Sequence, residues 1–169
     1  GAPQRPLATV GNVFFVTAAD INGDRKLDLL ATHDESSQVT LLLGDGAGGF
    51  RPARTSPLQL GNWAWEIKPI DLNGDGKLDL AAAGRNAVAV LVGDGQGGFK
   101  PVKGSPFKTG KGSWRFSLGD LNGDNKLDLV TANRWSDNVS VLLNNGNDGA
   151  GNVTFQGARN TTLYGRAEG

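Results

Sequence analysis

The chain lacks several residue types on which common functions depend. It contains no cysteine and no methionine, and it has one histidine, His33, and one tyrosine in 169 residues. Without cysteine, disulfides, thiolate metal sites and thiol catalysis are excluded. The sequence also has no Gly-x-Ser-x-Gly motif, and His33 falls in a predicted connection between strands. We therefore predict that the chain is not an enzyme.

Long apolar runs and strongly basic segments are missing as well. No stretch reaches the roughly 18 apolar residues that a membrane-spanning helix needs, so we predict no membrane span. The 17 basic and 17 acidic residues balance to a net charge of +0. No basic stripe is interleaved with aromatic residues in the way that favours nucleic acid, and we predict no nucleic-acid partner.

One acidic nine-residue motif occurs three times, at 20–28, 71–79 and 120–128. Oxygen-bearing side chains stand at its first, third, fifth and ninth positions, glycine at the fourth allows a tight bend, and the seventh residue can offer its backbone carbonyl. Calcium fits such a loop, because it accepts six to eight oxygen ligands in flexible geometry. The predicted ligands of one Ca²⁺ per loop are Asp20, Asn22, Asp24, Lys26 and Asp28, then Asp71, Asn73, Asp75, Lys77 and Asp79, then Asp120, Asn122, Asp124, Lys126 and Asp128, each Lys through its carbonyl.

Charge supports this prediction. Nine of the 17 acidic residues lie in the three motifs, three in each. Carboxylates held close together repel one another, and a bound divalent cation removes that repulsion. The alternative is a set of Asp/Asn/Gly turns that bind nothing, which three copies in register argue against.

An EF-hand or dockerin shares the opening D-x-N-x-D but requires a bidentate Glu at its twelfth position. That position holds Ala31, Ala82 and Thr131 here, and the flanks are typical of strands. Apolar residues alternate before each loop, as half-buried strands require, and a short apolar run follows each loop. The alternating residues are Phe14, Val16 and Ala18, then Trp65, Ile67 and Pro69, then Trp114, Phe116 and Leu118.

The repeat extends beyond the loops, whose first residues, Asp20, Asp71 and Asp120, are spaced by 51 and 49 residues. A third apolar strand follows in each unit, then a Gly-rich turn, then a more polar strand beginning at Phe50, Phe99 and Phe155. Four short antiparallel strands in each repeat are typical of propeller blades, so we predict an all-β fold with three four-stranded blades. The predicted units are 13–62, 63–111 and 112–169, with 1–12 as the tail of a preceding blade.

These units resemble FG-GAP or VCBS-type repeats, through D-x-N-G-D-x-x-L-D, the apolar strand after it and the G-G-F turn at 48–50 and 97–99. Such repeats form the calcium-loop β-propellers of integrin α-chains, many secreted bacterial proteins and some fungal lectins. The resemblance implies a secreted, extracellular protein with a structural or adhesion-type recognition role. Ca²⁺ loops also suit a calcium-rich exterior.

Three blades raise a problem of closure. A propeller is a ring of four to eight blades, and an open set leaves two apolar faces that a soluble monomer rarely exposes. We therefore expect either part of a longer chain or a homo-oligomer, in which two chains placed head to tail make a six-bladed ring.

Ligand specificity is expected on the face opposite the calcium loops. The connections at 33–38, 84–87 and 133–138 and the linkers near 61–63 and 110–113 emerge there and differ most between units. In integrin α-chains the corresponding face meets ligands, which the resemblance extends to a protein or glycan ligand here.

The four tryptophans divide between core and loops. Trp65 and Trp114 share the slot of Phe14 and are predicted to pack in the core, whereas Trp63 and Trp135 fall in loops. An exposed Trp can stack on a sugar or anchor a protein, although it can also lie over a neighbouring blade. The predicted ligand-binding residues are Trp63, Arg85, Arg134 and Trp135. The alternatives to a recognition module are a carbohydrate-binding, lectin-type propeller and a non-binding spacer appended to a secreted enzyme.

Overall fold

In a computed structural model, which describes residues 11–149 and 151–162, the chain is an all-β protein. Its strands form three larger antiparallel sheets and one small hairpin. The described ranges contain no helix, and so none that could cross a membrane. The predicted tail of a preceding blade falls mostly outside the described residues, which begin at Gly11.

Blade 1 is a meander whose outer strand is divided in two. The inner strand pairs with the second, and the second with the third. Two short strands then share the outer edge of the third. The strands are β1 (Val13–Ala19), β2 (Asp28–His33), β3 (Gln38–Gly44), β4 (Phe50–Pro52) and β5 (Leu58–Gln59).

Blade 2 repeats this plan, with two short strands again pairing with one long one. Its strands are β6 (Glu66–Ile70), β7 (Asp79–Ala83), β8 (Ala87–Gly93), β9 (Phe99–Pro101) and β10 (Phe107–Lys108). A cis Ser-Pro peptide precedes the second outer piece in both blades, at Pro57 and Pro106. The serine hydroxyl replaces a missing ladder bond, since Ser56 Oγ accepts the N–H of Leu41 at 3.0 Å.

Blade 3 differs at its outer edge. Its sheet consists of β11 (Ser113–Gly119), β12 (Asp128–Asn133), β13 (Asn138–Leu142) and β16 (Arg159–Thr162), and β14 (Asn144–Asn147) and β15 (Val153–Phe155) form a separate hairpin. The prediction of a strand beginning at Phe155 is wrong, because β15 ends there. Phe155 nevertheless pairs with Asn144 as Phe50 pairs with Gly44, so the register is shared.

Two apolar cores lie between neighbouring blades. One joins blades 1 and 2 and includes Leu30, Leu41, Ile67 and Leu80, and the other joins blades 2 and 3. Blade 2 is therefore covered on both faces, which explains why every residue of β7 is buried. Each fully buried large aliphatic side chain contributes about 1.5–3 kcal/mol, so these contacts between blades dominate stability.

The leading face of blade 1 is exposed, contrary to the burial expected from its alternation. Phe14 and Val16 are 49% and 50% exposed, and Ala18 is exposed too. Val16 pairs with Ala31 as Ile67 pairs with Ala82. Ile67 is fully buried because blade 1 covers it. The alternation thus marks the face that contacts a preceding blade, and the described residues supply none for blade 1.

An ionic cluster around one buried carboxylate joins blades 2 and 3. Glu66 is 7% exposed, and its Oε2 accepts the N–H of Phe116 at 2.9 Å. Its Oε1 lies 3.6 Å from both Lys68 Nζ and the Arg115 guanidinium. Lys68 Nζ also donates to the carbonyl of Phe116 at 2.6 Å. The buried charge is therefore paired on several sides, as a buried carboxylate requires.

Candidate functional site

The three nonapeptide loops connect the inner strand of each blade to the second strand. The fourth residue has a positive φ in all three, between 74° and 81° at Gly23, Gly74 and Gly123, which explains the glycine. The sixth residue is left-handed too, with φ of 66° at Arg25 and 62° at Asn125. Sequence analysis missed this second turn because the sixth position varies in residue type.

Side-chain oxygens organise each loop by accepting its own backbone N–H groups. In the first loop, Asp20 accepts from Asp24 N at 3.0 Å and from Arg25 N at 2.7 Å, and Asn22 Oδ1 accepts from Asp24 N at 3.0 Å. The other two loops repeat these bonds. In the third loop such bonds, led by the one from Asn125, hold the pKa of Asp120 below its usual range. The Asp120 carboxylate is therefore ionised at neutral pH.

The ninth residue ties each loop to the Gly-rich turn of the same blade. Asp28, Asp79 and Asp128 are all fully buried. One oxygen of Asp79 accepts the N–H of Leu72 and the other that of Gly93, both at 2.9 Å. Burial raises the pKa of Asp79, and repulsion from Asp75 and Asp71 raises it further. The acidic side chains of this loop therefore interact unfavourably, as expected of a site that needs a cation.

The donor set fits calcium only if neutral oxygens complete it. Among the described residues, no three Asp, Glu or His side chains form a ready metal cage. Each carboxylate or amide oxygen has two lone pairs, so an oxygen that accepts one N–H can still ligate a cation. Asn22 and its counterparts, with the backbone carbonyl at the seventh position, would supply the remaining ligands.

The lysine at the seventh position also acts through its side chain, which sequence analysis did not foresee. Lys126 Nζ lies 2.9 Å from Asp124 Oδ2, and Lys26 Nζ lies 3.9 Å from Asp24 Oδ2. Ion pairs this exposed contribute little to stability, so a divalent cation would displace the ammonium group readily.

The loops and the Gly-rich turns lie at the same edge of the blades, as predicted. Asp24 and Lys26 line a cleft of about 340 Å³ with Gly44, Asp45 and Phe50 of their own blade. The second loop also reaches the next blade, since Asn73 Nδ2 donates to the carbonyl of Gly151 at 2.8 Å. The second loop therefore lies where it can influence contacts between blades 2 and 3.

A larger cavity, of about 730 Å³, lies among the variable connections predicted to carry the ligand. All three blades and both linkers contribute to it. Its lining residues are Ser37, Gly61, Asn62, Trp63, Arg85, Asn86, Lys111 and Trp135.

Three of the four predicted ligand-binding residues, Trp63, Arg85 and Trp135, line this cavity. Arg134 is not among the lining residues. Its guanidinium carbon lies 4.7 Å from the ring centroid of Trp114, so it covers a core tryptophan. Trp65 is buried as predicted, and its ring lies 5.2 Å from that of Trp114, which is partly buried.

The two tryptophans that line the cavity differ in exposure and in their contacts. Trp135 is 52% exposed, and its ring packs edge-on against Trp65 with centroids 5.7 Å apart. Trp63 lies beneath Arg85, whose guanidinium carbon is 5.1 Å from the ring centroid. Trp135 therefore offers an accessible aromatic surface that is anchored to the core.

Asn62 is a lining residue that sequence analysis missed, although its linker was marked as variable. Its Nδ2 donates to the carbonyls of Trp63 and Ala87 at 2.8 and 3.3 Å. Its Oδ1 is buried and, among the described residues, accepts no hydrogen bond. Buried acceptors are rarely left unpaired, so this oxygen calls for a donor that the described residues do not supply, such as a water molecule or a ligand group.

Backbone hydrogen bonds hold the cavity walls together. The N–H of Gly112 donates to the carbonyl of Arg85 at 2.6 Å, and the N–H of Trp135 donates to the carbonyl of Lys111 at 3.0 Å. These bonds join the blade 2–blade 3 linker to the connections on either side. The cavity is therefore largely preformed, as small-ligand sites usually are.

Comparisons with known proteins agree with this architecture. The FG-GAP-like repeat family matches residues 20–82 and 71–131, and the FG-GAP repeat family matches residues 113–155. No curated protein matches the chain. Among solved structures, an Agrocybe aegerita lectin described as recognising non-reducing terminal N-acetylglucosamine is similar, with a TM-score of 0.54 and 22% identity. The similarity covers 86% of this chain but 37% of the lectin, and at this identity it bears on the fold alone. The chain belongs to the FG-GAP-like repeat family and has the fold of a partial β-propeller.

Proposed function

We propose that this propeller segment is a recognition module that binds a glycan in the 730 Å³ cavity. The observation that carries the proposal is the pairing of an exposed aromatic ring, Trp135, with an unpartnered buried acceptor, Asn62 Oδ1, in one preformed cavity. A sugar ring presents a C–H face that stacks on tryptophan and hydroxyl groups that donate hydrogen bonds. A single saccharide could satisfy both features.

Replacing Trp135 by alanine should weaken glycan binding at least tenfold, because the stacking surface is lost. The measurement is a glycan-array screen of the wild-type chain, followed by isothermal titration with the best ligand. Phe14→Ala is the matched control, since Phe14 is similarly exposed, at 49%, and lies outside the cavity lining. Unchanged binding by the Trp135 variant would contradict the proposed site. Absence of any glycan ligand would favour a non-binding spacer.

The three nonapeptide loops, in this proposal, each hold one Ca²⁺ through the fifteen predicted ligands. The ion would supply charge neutralisation and would fix loop geometry without taking part in a reaction. Support comes from the shared hydrogen-bond pattern of the loops and from the mutual repulsion of acids at Asp79. A calcium-loaded protein of this kind suits the extracellular space, and we propose that the chain is secreted.

The exposed face of β1 supports the closure of a larger ring. If the isolated chain self-associates head to tail, its mass in solution should be twice 17.6 kDa. Val16→Lys should return it to a single-chain mass, because it places a charge on the face that a neighbouring blade would cover. Gln59→Lys is the control, since Gln59 is exposed on the short outer strand β5 and not on that face. Light scattering that shows one chain at every concentration would refute self-association and leave continuation within a longer chain.

A further inference from the structure

We infer that the cavity selects sugars that carry a carboxylate, such as uronic acids. This inference rests on the proposed glycan-binding function and adds the chemical class of the ligand. It begins with the charges around the cavity. Arg85 and Lys111 line it, and the described lining residues include no Asp or Glu.

Neither cation is neutralised within the described part of the chain. Every ion pair there involves Asp24, Glu66 or Asp124, and neither Arg85 nor Lys111 takes part. The Arg85 side chain donates no hydrogen bond to the described residues, and it contacts the ring of Trp63. Two positive groups beside one cavity therefore remain available to an anion.

Arg85 has the donor geometry that suits a planar acceptor. Its guanidinium carbon lies over the Trp63 ring, 5.1 Å from the centroid, and its N–H edge donates to no described residue. That edge matches a carboxylate through two parallel hydrogen bonds, which are stronger than bonds between neutral groups. A neutral sugar hydroxyl would use only one of those donors.

The acidic residues of the chain add to this selectivity by their position. Nine of the 17 lie in the calcium loops, at the opposite edge of the blades. Asp34, Glu35 and Asp137 lie in connections on the same face but outside the cavity lining, so the charges that an anionic ligand meets inside the cavity are those of Arg85 and Lys111. Trp135 would stack on the apolar face of the same sugar while Arg85 held its carboxylate.

The test compares oligogalacturonate with its methyl ester, which has the same chain without the charge, by titration at low salt. We expect the free acid to bind at least tenfold more tightly and that ratio to shrink in high salt. Arg85→Gln should bring the ratio close to one, because it removes the paired donors of the free acid and only a single donor of the ester. Arg159→Gln, which changes an exposed arginine outside the cavity lining, should preserve it.

A sulfated galactan oligosaccharide separates carboxylate recognition from attraction to any anion, and equal binding of sulfate and carboxylate would overturn the selectivity. Equal binding of acid and ester would also overturn it while leaving glycan recognition intact. If neither oligogalacturonate nor its methyl ester bound, but the chain bound neutral glycans on the array, the carboxylate inference alone would fail. If no glycan bound at all, both proposals would fail.

Discussion

Removing calcium is expected to lower the melting temperature of this chain by about 15–30 °C. A ligand that binds only the folded state at 100 times its Kd stabilises it by about 2.7 kcal/mol, so three loops together would supply about 8 kcal/mol. That figure is comparable with the whole stability of a typical domain, about 5–15 kcal/mol. For a chain of this length, each kcal/mol corresponds to about 2–4 °C.

Differential scanning calorimetry in calcium and then in chelator measures the effect. Magnesium at the same concentration is the ionic control, and it should restore little, because it demands stricter octahedral geometry. Asp75→Asn should remove about a third of the calcium-dependent stabilisation by weakening one loop. Asp34→Asn, which changes an exposed acid outside the loops, should leave it intact. Superimposable melting curves with and without calcium would rule out the proposed sites.

Gly84→Ala is expected to destabilise the chain by about 3 kcal/mol or more, because overpacking a tight site usually costs about 1–3 kcal/mol and this clash is with backbone. A Cβ at Gly84 would lie 1.4 Å from the carbonyl oxygen of Trp63 and 2.4 Å from its carbonyl carbon. Backbone cannot rotate away as a side chain can, so the blade 1–blade 2 linker must shift. Since Trp63 and Arg85 both line the cavity, ligand affinity should fall as well.

Gly119→Ala provides the matched control. A Cβ at Gly119 would meet nothing within 4 Å, and this glycine ends strand β11 without a positive φ. Its replacement by alanine should change the free energy of unfolding by less than about 1 kcal/mol. The change should be stabilising, because alanine leaves the unfolded chain with less conformational freedom than glycine does. Urea midpoints of the two variants make the comparison. Similar midpoints would show that the linker tolerates a side chain opposite Trp63.

Much of the fold could be predicted because its repeats carry strong local signals. The Asp-x-Asn-Gly-Asp loops and the alternating strands before them specify where chains turn and pair. Burial was harder to predict, as Val16 and Ile67 show. Both occupy the same register position, yet Val16 is 50% exposed and Ile67 fully buried. The local sequence pattern around a residue does not indicate whether a neighbouring blade covers it.

The cavity was predictable in location but not in detail. Trp63, Arg85 and Trp135 stand in variable connections, and those connections converge. Arg134 adjoins Trp135 in sequence but stacks on Trp114, because adjacent residues of a connection can point in opposite directions. Asn62 was missed because its importance lies in a buried, unpaired oxygen, which only packing reveals.

The buried carboxylate between blades 2 and 3 has an evolutionary consequence. The positions that correspond to Glu66 in the other blades are Phe15 in β1 and Arg115 in β11. A recombination event that shuffled or duplicated the repeats would therefore place blade 2 against a blade other than blade 3. Such a hybrid would keep the pair of Glu66 with Lys68 on the same strand and lose the pair with Arg115, which would oppose its folding. The repeats are therefore not interchangeable, because each packs against a particular neighbour.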